Sequence, residues 1–147
     1  MSLLSPTDQE KLRESFDEMT SPVRVLFFTQ ALDCEPCAQT RQILDELPAL
    51  SGKIAIDEVN FVLEKEKAAH YGIDRVPALV LLNTDAAGVT HDSRIRFLGT
   101  PAGYEFVSLV QALLLVGGHD SQLTPANRTL IAAVSTKTTI QVFSTPT

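Results

Sequence analysis

The feature that most constrains this chain is a pair of cysteines, Cys34 and Cys37, separated by Glu35 and Pro36. The 147 residues contain only these two cysteines, so the chain cannot form the several cross-links of a small secreted disulfide scaffold. Residues 23–28 precede the pair and end in four consecutive apolar residues, a pattern typical of a strand covered on both faces. We therefore predict that both cysteines lie in the first turn of a helix that follows a buried strand.

This placement suits thiol–disulfide exchange. An attacking sulfur must be an accessible thiolate near neutral pH, and a second thiol must be near enough to resolve the mixed disulfide. Unpaired N–H groups and the dipole at a helix start stabilise a thiolate at Cys34. We predict that Cys34 is the nucleophile and that Cys37, one turn further, is the resolving thiol.

The two residues between the cysteines tune the pair. Pro36 stiffens the first turn at a position where its missing N–H group costs nothing. Glu35 places a negative charge beside the thiolate and is expected to raise the pKa of the Cys34 thiol relative to a neutral residue. The centre is therefore predicted to be reducing, nearer to about −270 mV than to the oxidising end at about −120 mV.

Other uses of two cysteines stay open at this point. A zinc site needs about four ligands, and the candidates His70, His91 and His119 are scattered singly. The cysteines could also be a buried pair without chemistry, or bridge an iron–sulfur cluster between two protomers, which Pro36 disfavours. We predict no metal, and no cofactor besides the redox-active disulfide itself.

Apolar periodicity and the glycine and proline positions predict the element order α-β-α-β-α-β-β-α. The predicted elements are a helix capped by Ser5 with Pro6 in its first turn, a strand over 23–28, a helix over 34–47 ended by Pro48, a strand over 54–62, a helix over 64–70 followed by Gly72, a strand over 77–82, a half-exposed edge strand over 91–98, and a helix capped by Thr100 and Pro101 that runs to Val116. A β-α-β unit followed by a hairpin and a covering helix forms a mixed four-stranded sheet with helices on both faces.

The end of the chain repeats its beginning. Leu123-Thr124-Pro125 matches Leu4-Ser5-Pro6 as a capped helix start, and residues 139–143 match the strand over 23–28. We therefore predict one domain over 1–120, and over 121–147 the opening helix and strand of a second unit.

Charge and hydropathy restrict the partners. The net charge of −6 and the pI near 4.9 argue against nucleic acid or an anionic membrane as the partner. No apolar run approaches the roughly 20 residues that span a bilayer, and the N-terminal residues lack the pattern of a secretory signal. We expect a cytoplasmic protein.

The strand, the C-E-P-C motif and the run G-I-D-R-V-P-A-L-V-L over 72–81 together resemble the thioredoxin superfamily. In that family the proline corresponding to Pro77 is cis and faces the active-site disulfide, and the backbone before it pairs with bound substrate. The resemblance therefore implies a substrate-binding role for Val76 and Pro77. It covers roughly residues 23–117, and the fold that it implies is an α/β thioredoxin-like fold with an extra N-terminal helix and a C-terminal helix-strand appendage.

A closer likeness is to the tandem, glutaredoxin-like protein disulfide oxidoreductases. The segments that carry it are L-G-T-P-A-G-Y-E-F over 98–106 and I-Q-V-F-S-T-P-T over 140–147. The likeness implies exchange with protein disulfide or dithiol substrates and recharging by an electron-donor reductase. The sequence does not specify the oligomeric state, for which we favour a monomer.

The sequence departs from the thioredoxin pattern at two positions near the motif. Asp33 stands where thioredoxins have an aromatic residue, and Phe28 stands near the position of their buried acid. The glutathione-binding pattern of glutaredoxins is not evident. Two hypotheses follow: a reductase-like thiol–disulfide oxidoreductase, or a redox-inactive thioredoxin-fold module for binding or scaffolding.

Overall fold

The computed structural model of the protein describes residues 3–145, and the predicted order of elements is confirmed there. The elements are α1 (Pro6–Asp17), β1 (Val23–Thr29), α2 (Glu35–Asp45), α3 (Leu47–Leu50), β2 (Ile54–Asn60), α4 (Lys65–His70), β3 (Ala78–Thr84), β4 (Thr90–Leu98), α5 (Tyr104–Val116) and α6 (Pro125–Ala132). The short helix α3 is the one element before residue 121 that periodicity does not predict, because it spans only four residues.

The strands form the predicted mixed sheet, in the order β2-β1-β3-β4. β1 runs parallel to β2 and antiparallel to β3, and β3 runs antiparallel to β4. The central strands β1 and β3 are buried almost throughout, which explains their continuous apolar runs. β4 lies at the edge and is exposed or half-buried along its length, as its alternating pattern predicts.

Alternate residues of the central strands face two separate apolar cores, because successive side chains of a strand point to opposite faces. On one face Phe27 and Leu79 pack in a core with Phe16 from α1. On the other face Phe28 and Val80 pack in a smaller core under α4. The extra N-terminal helix is therefore part of the main core of the domain.

Helix α5 covers the larger core. Its inner residues Leu109 and Leu113 are fully buried, while Val107 and Leu115 on its outer side are exposed. With 13 residues it is the longest helix described. Between residues 3 and 145, no helix has the length and apolarity that crossing a membrane requires.

Four predicted boundaries are wrong by two or more residues. The strand predicted over 77–82 continues to Thr84 as β3. Helix α2 ends at Asp45, and Pro48 lies in the first turn of α3 instead of marking a helix end. β2 stops at Asn60 because the Oδ1 atom of Asn60 accepts the N–H groups of Val62 and Leu63, each at 3.0 Å, in the turn that follows. Helix α5 begins at Tyr104 with Gly103 as its N-cap, because the Thr100 hydroxyl bonds elsewhere.

For the C-terminal segment, the structure confirms the predicted helix but not the predicted strand. Thr124 caps α6 by accepting the N–H of Asn127 at 3.2 Å, just as Ser5 caps α1 by accepting the N–H of Asp8 at 3.1 Å. Residues 139–143 form no strand, since no other described segment pairs with them. A second unit over 121–147 stays a prediction, and its last two residues lie outside the described range.

We expect Gly118→Ala to destabilise the fold by about 1–3 kcal/mol, because its φ of +95° is strained for any residue with a Cβ atom. That Cβ atom would also lie 2.1 Å from the Oγ1 atom of Thr20. The matched control is Gly52→Ala, whose Cβ atom meets nothing within 4 Å. Urea unfolding of both variants measures the difference, and equal midpoints would contradict this account of the α5 C-terminus.

Candidate active site

The loop between β1 and α2 places Cys34 at the start of a helix. The side chain of Gln30 donates to the carbonyl of Leu32 at 2.8 Å and secures the loop. Asp33 then adopts a left-handed conformation with φ of +56°, which aspartate tolerates better than most residues. Cys34 follows as the N-cap residue of α2. The loop therefore directs the first cysteine to the positive end of the helix dipole.

The two cysteines are joined as a disulfide, with their Cα atoms 5.4 Å apart. The N–H of Cys37 donates to the carbonyl of Cys34 at 3.2 Å, which closes the first turn of the helix. Cys34 is half-buried and Cys37 is only 4% exposed. Because access decides which sulfur of a disulfide reacts, the arrangement offers Cys34 to a partner and withholds Cys37.

The peptide bond between Val76 and Pro77 is cis. The carbonyl of Pro77 accepts the N–H of Gly99 at 2.9 Å. The next residue, Thr100, places its hydroxyl 3.3 Å from the carbonyl of Pro36. Two consecutive residues of the β4–α5 loop thus connect the Pro77 segment to the Cys34–Cys37 turn.

A pair of threonines behind the disulfide completes this connection. The Thr40 hydroxyl donates to the carbonyl of Pro36 at 2.9 Å and lies 2.9 Å from the Thr100 hydroxyl. Thr40 is fully buried, so these bonds satisfy a side chain that has no access to water. Sequence reasoning missed both residues, although Thr40 continues the buried spacing of Cys37 and Leu44.

Phe28, which the resemblance sets near the buried acid of thioredoxins, is fully buried, and its ring lies edge-to-face with the ring of Tyr71. A carboxylate does lie on the neighbouring strand β2, at Glu58. Hydrogen bonding from the Arg41 guanidinium holds the pKa of Glu58 below its ordinary value, so this carboxylate stays ionised and paired.

The three histidines lie in separate surroundings. His91 and His119 each hydrogen-bond a carboxylate, while His70 stacks edge-on against Tyr71. Among the residues that the structure describes, no three His, Cys, Asp or Glu side chains are arranged to hold a metal ion.

The sequence of the chain is similar to that of the F subunit of alkyl hydroperoxide reductase. No protein-family model matches the sequence. The AhpF protein of alkyl hydroperoxide reductase from Escherichia coli (strain K12) is 28% identical over 120 residues, which is 82% of this chain and 20% of that protein. The chain therefore spans about a fifth of the length of the curated relatives that it matches.

Solved structures give the same result at the level of the fold. A mutant of alkylhydroperoxide reductase AhpF from Enterococcus faecalis (V583) is 32% identical, with a TM-score of 0.78 over 88% of this chain and 60% of that one. A protein disulfide oxidoreductase from Aeropyrum pernix K1 is 22% identical, with a TM-score of 0.72 over 88% of this chain and 54% of that one. The second likeness concerns the fold alone.

Proposed function

Because the chain belongs to the thioredoxin superfamily and carries the Cys34–Cys37 disulfide of a thiol–disulfide oxidoreductase, we propose that it reduces disulfides of protein substrates. The observation that carries this proposal is the asymmetry of the disulfide. Cys34 is partly open to solvent at a helix start, whereas Cys37 is buried one turn behind it.

In the reduced form the Cys34 thiolate attacks one sulfur of the client disulfide, and the other client sulfur leaves as a thiolate that takes a proton from solvent. The Cys37 thiol then loses its proton to solvent and attacks the Cys34 sulfur. The second client sulfur leaves and is protonated in turn. The client gains two electrons and two protons, and Cys34 and Cys37 become joined as a disulfide. An electron-donor dithiol then reduces this disulfide again.

The residues around the disulfide have supporting roles in this proposal. Val76 and Pro77 form the surface against which the client backbone lies, and the hydrogen bonds of Gly99 and Thr100 hold that surface beside the cysteines. Glu35 and Pro36 adjust the reactivity of the cysteine pair. Thr40 is a positioning residue, because its hydroxyl bonds the carbonyl of Pro36 inside the C-E-P-C turn.

The relatives suggest the setting of the reaction. Their name, alkyl hydroperoxide reductase, leads us to propose that the donor and the client belong to a hydroperoxide-reducing system. A dithiol that reduces proteins works where thiols are kept reduced, so we place the chain in the cytoplasm. The alternative function is a redox-inactive binding or scaffolding module, and the half-buried, helix-capping position of Cys34 favours exchange over it.

The redox potential tests the reductase direction. We expect equilibration with reduced and oxidised dithiothreitol, followed by alkylation and mass measurement, to give a potential near about −270 mV. Glu35→Gln is expected to make the potential about 10–20 mV less negative, because removing a nearby negative charge favours the thiolate and hence the reduced form. Glu14→Gln, an exposed acid on α1, serves as the control and is expected to leave the potential unchanged. A wild-type potential near about −120 mV would show an oxidase instead.

A further inference from the structure

Two unpaired carboxylates flank the attacking sulfur. Asp33 and Glu35 are exposed on either side of Cys34, and within residues 3–145 neither has an ion-pair or hydrogen-bond partner on its side chain. The acid beside the Pro77 segment is different, since Asp74 is bonded to Arg75 at 2.8 Å. Asp33 and Glu35 thus place two negative charges next to Cys34 in the chain, and no described cation pairs with either of them.

A groove continues from this charge along the exposed side of α2. It has a volume of about 440 Å³ and is lined by Glu35, Pro36, Ala38, Gln39 and Gln42. Of these residues only Glu35 is charged, and the two glutamine amides can donate and accept hydrogen bonds. A segment lying in the groove thus meets one carboxylate at the end nearest to Cys34, with polar but neutral walls beyond it.

We propose that Asp33 and Glu35 make this site selective for client disulfides with a lysine or arginine next to the reacting cysteine. The inference rests on the proposed function and specifies its substrate class. A cation beside the client sulfur is attracted to both carboxylates and to the thiolate itself, whereas a carboxylate there is repelled by all three. The chemical step is the exchange already described, and the charges act on the approach of the client.

Three small disulfides of different charge serve as probes: cystamine, which is cationic, 2-hydroxyethyl disulfide, which is neutral, and dithiodiglycolate, which is anionic. Stopped-flow measurement of the reduced full chain gives a rate constant for each. Dividing by the rate constant of free dithiothreitol removes the differences in intrinsic reactivity among the probes. At about 10 mM ionic strength we expect the normalised rate constant for cystamine to exceed that for dithiodiglycolate by about tenfold or more.

The same ratio is then measured in variants. Asp33→Asn combined with Glu35→Gln is expected to bring it below about threefold, and Glu14→Gln on α1 is expected to leave it at the wild-type value. The single variants Asp33→Asn and Glu35→Gln are each expected to lower the ratio part of the way, which tests the proposal even if the double variant does not fold. About 0.5 M salt is expected to lower the wild-type ratio as well, because it screens the carboxylates and the thiolate alike. A ratio that the substitutions leave at the wild-type value would overturn the selectivity. Failure to reduce the neutral probe would instead overturn the proposed function.

Discussion

Cys34→Ser is expected to lower the rate of disulfide reduction by about a thousandfold or more, to the rate of dithiothreitol alone, because the nucleophile is lost. Cys37→Ser is expected to behave differently. Its Cys34 thiolate can still attack a client disulfide, but no second thiol resolves the product. A mixed disulfide with the client therefore accumulates in this variant only.

The rate is measured with dithiothreitol as the electron source and 2-hydroxyethyl disulfide as the client. The trapped adduct is measured by intact-mass spectrometry on reduced protein from which the dithiothreitol has been removed before the client disulfide is added. Circular dichroism of both variants controls for folding. A Cys34→Ser protein as fast as wild type would remove Cys34 from the mechanism. Wild type no faster than dithiothreitol alone would favour the redox-inactive module.

Phe16→Ala is expected to cost about 3–5 kcal/mol of unfolding free energy, because it removes a fully buried ring from the main core. Phe143→Ala makes the same chemical change at a side chain that is 88% exposed, and is expected to change stability by no more than about 0.5 kcal/mol. Guanidinium unfolding of both variants measures the contrast.

The contrast also tests the domain organisation. Phe16 belongs to the helix that precedes the sheet, and Phe143 belongs to the segment that sequence similarity assigns to a second unit. Similar losses in both variants would mean that the C-terminal segment is packed against the domain. A negligible loss in Phe16→Ala would mean that the N-terminal helix is not part of its core.

Local patterns allowed much of the fold to be predicted. The caps at Ser5 and Thr124, the buried strands β1 and β3 and the half-exposed strand β4 all follow from residues close together in the chain. The prediction of a strand over 139–143 is wrong although the local pattern there is as good as that of β1. A strand forms only when another strand pairs with it, and local pattern does not supply that partner.

The sequence by itself determined the motif, the order of elements and the helix start that carries the cysteines, because short-range periodicity and capping encode these features. Only the tertiary structure decided how the site is held together. The Thr40 and Thr100 hydroxyls meet across 60 positions in the chain, and the same contact draws Thr100 away from the role of helix cap. Hydrogen bonds between distant residues depend on how the helices pack on the sheet, and no local pattern contains that information.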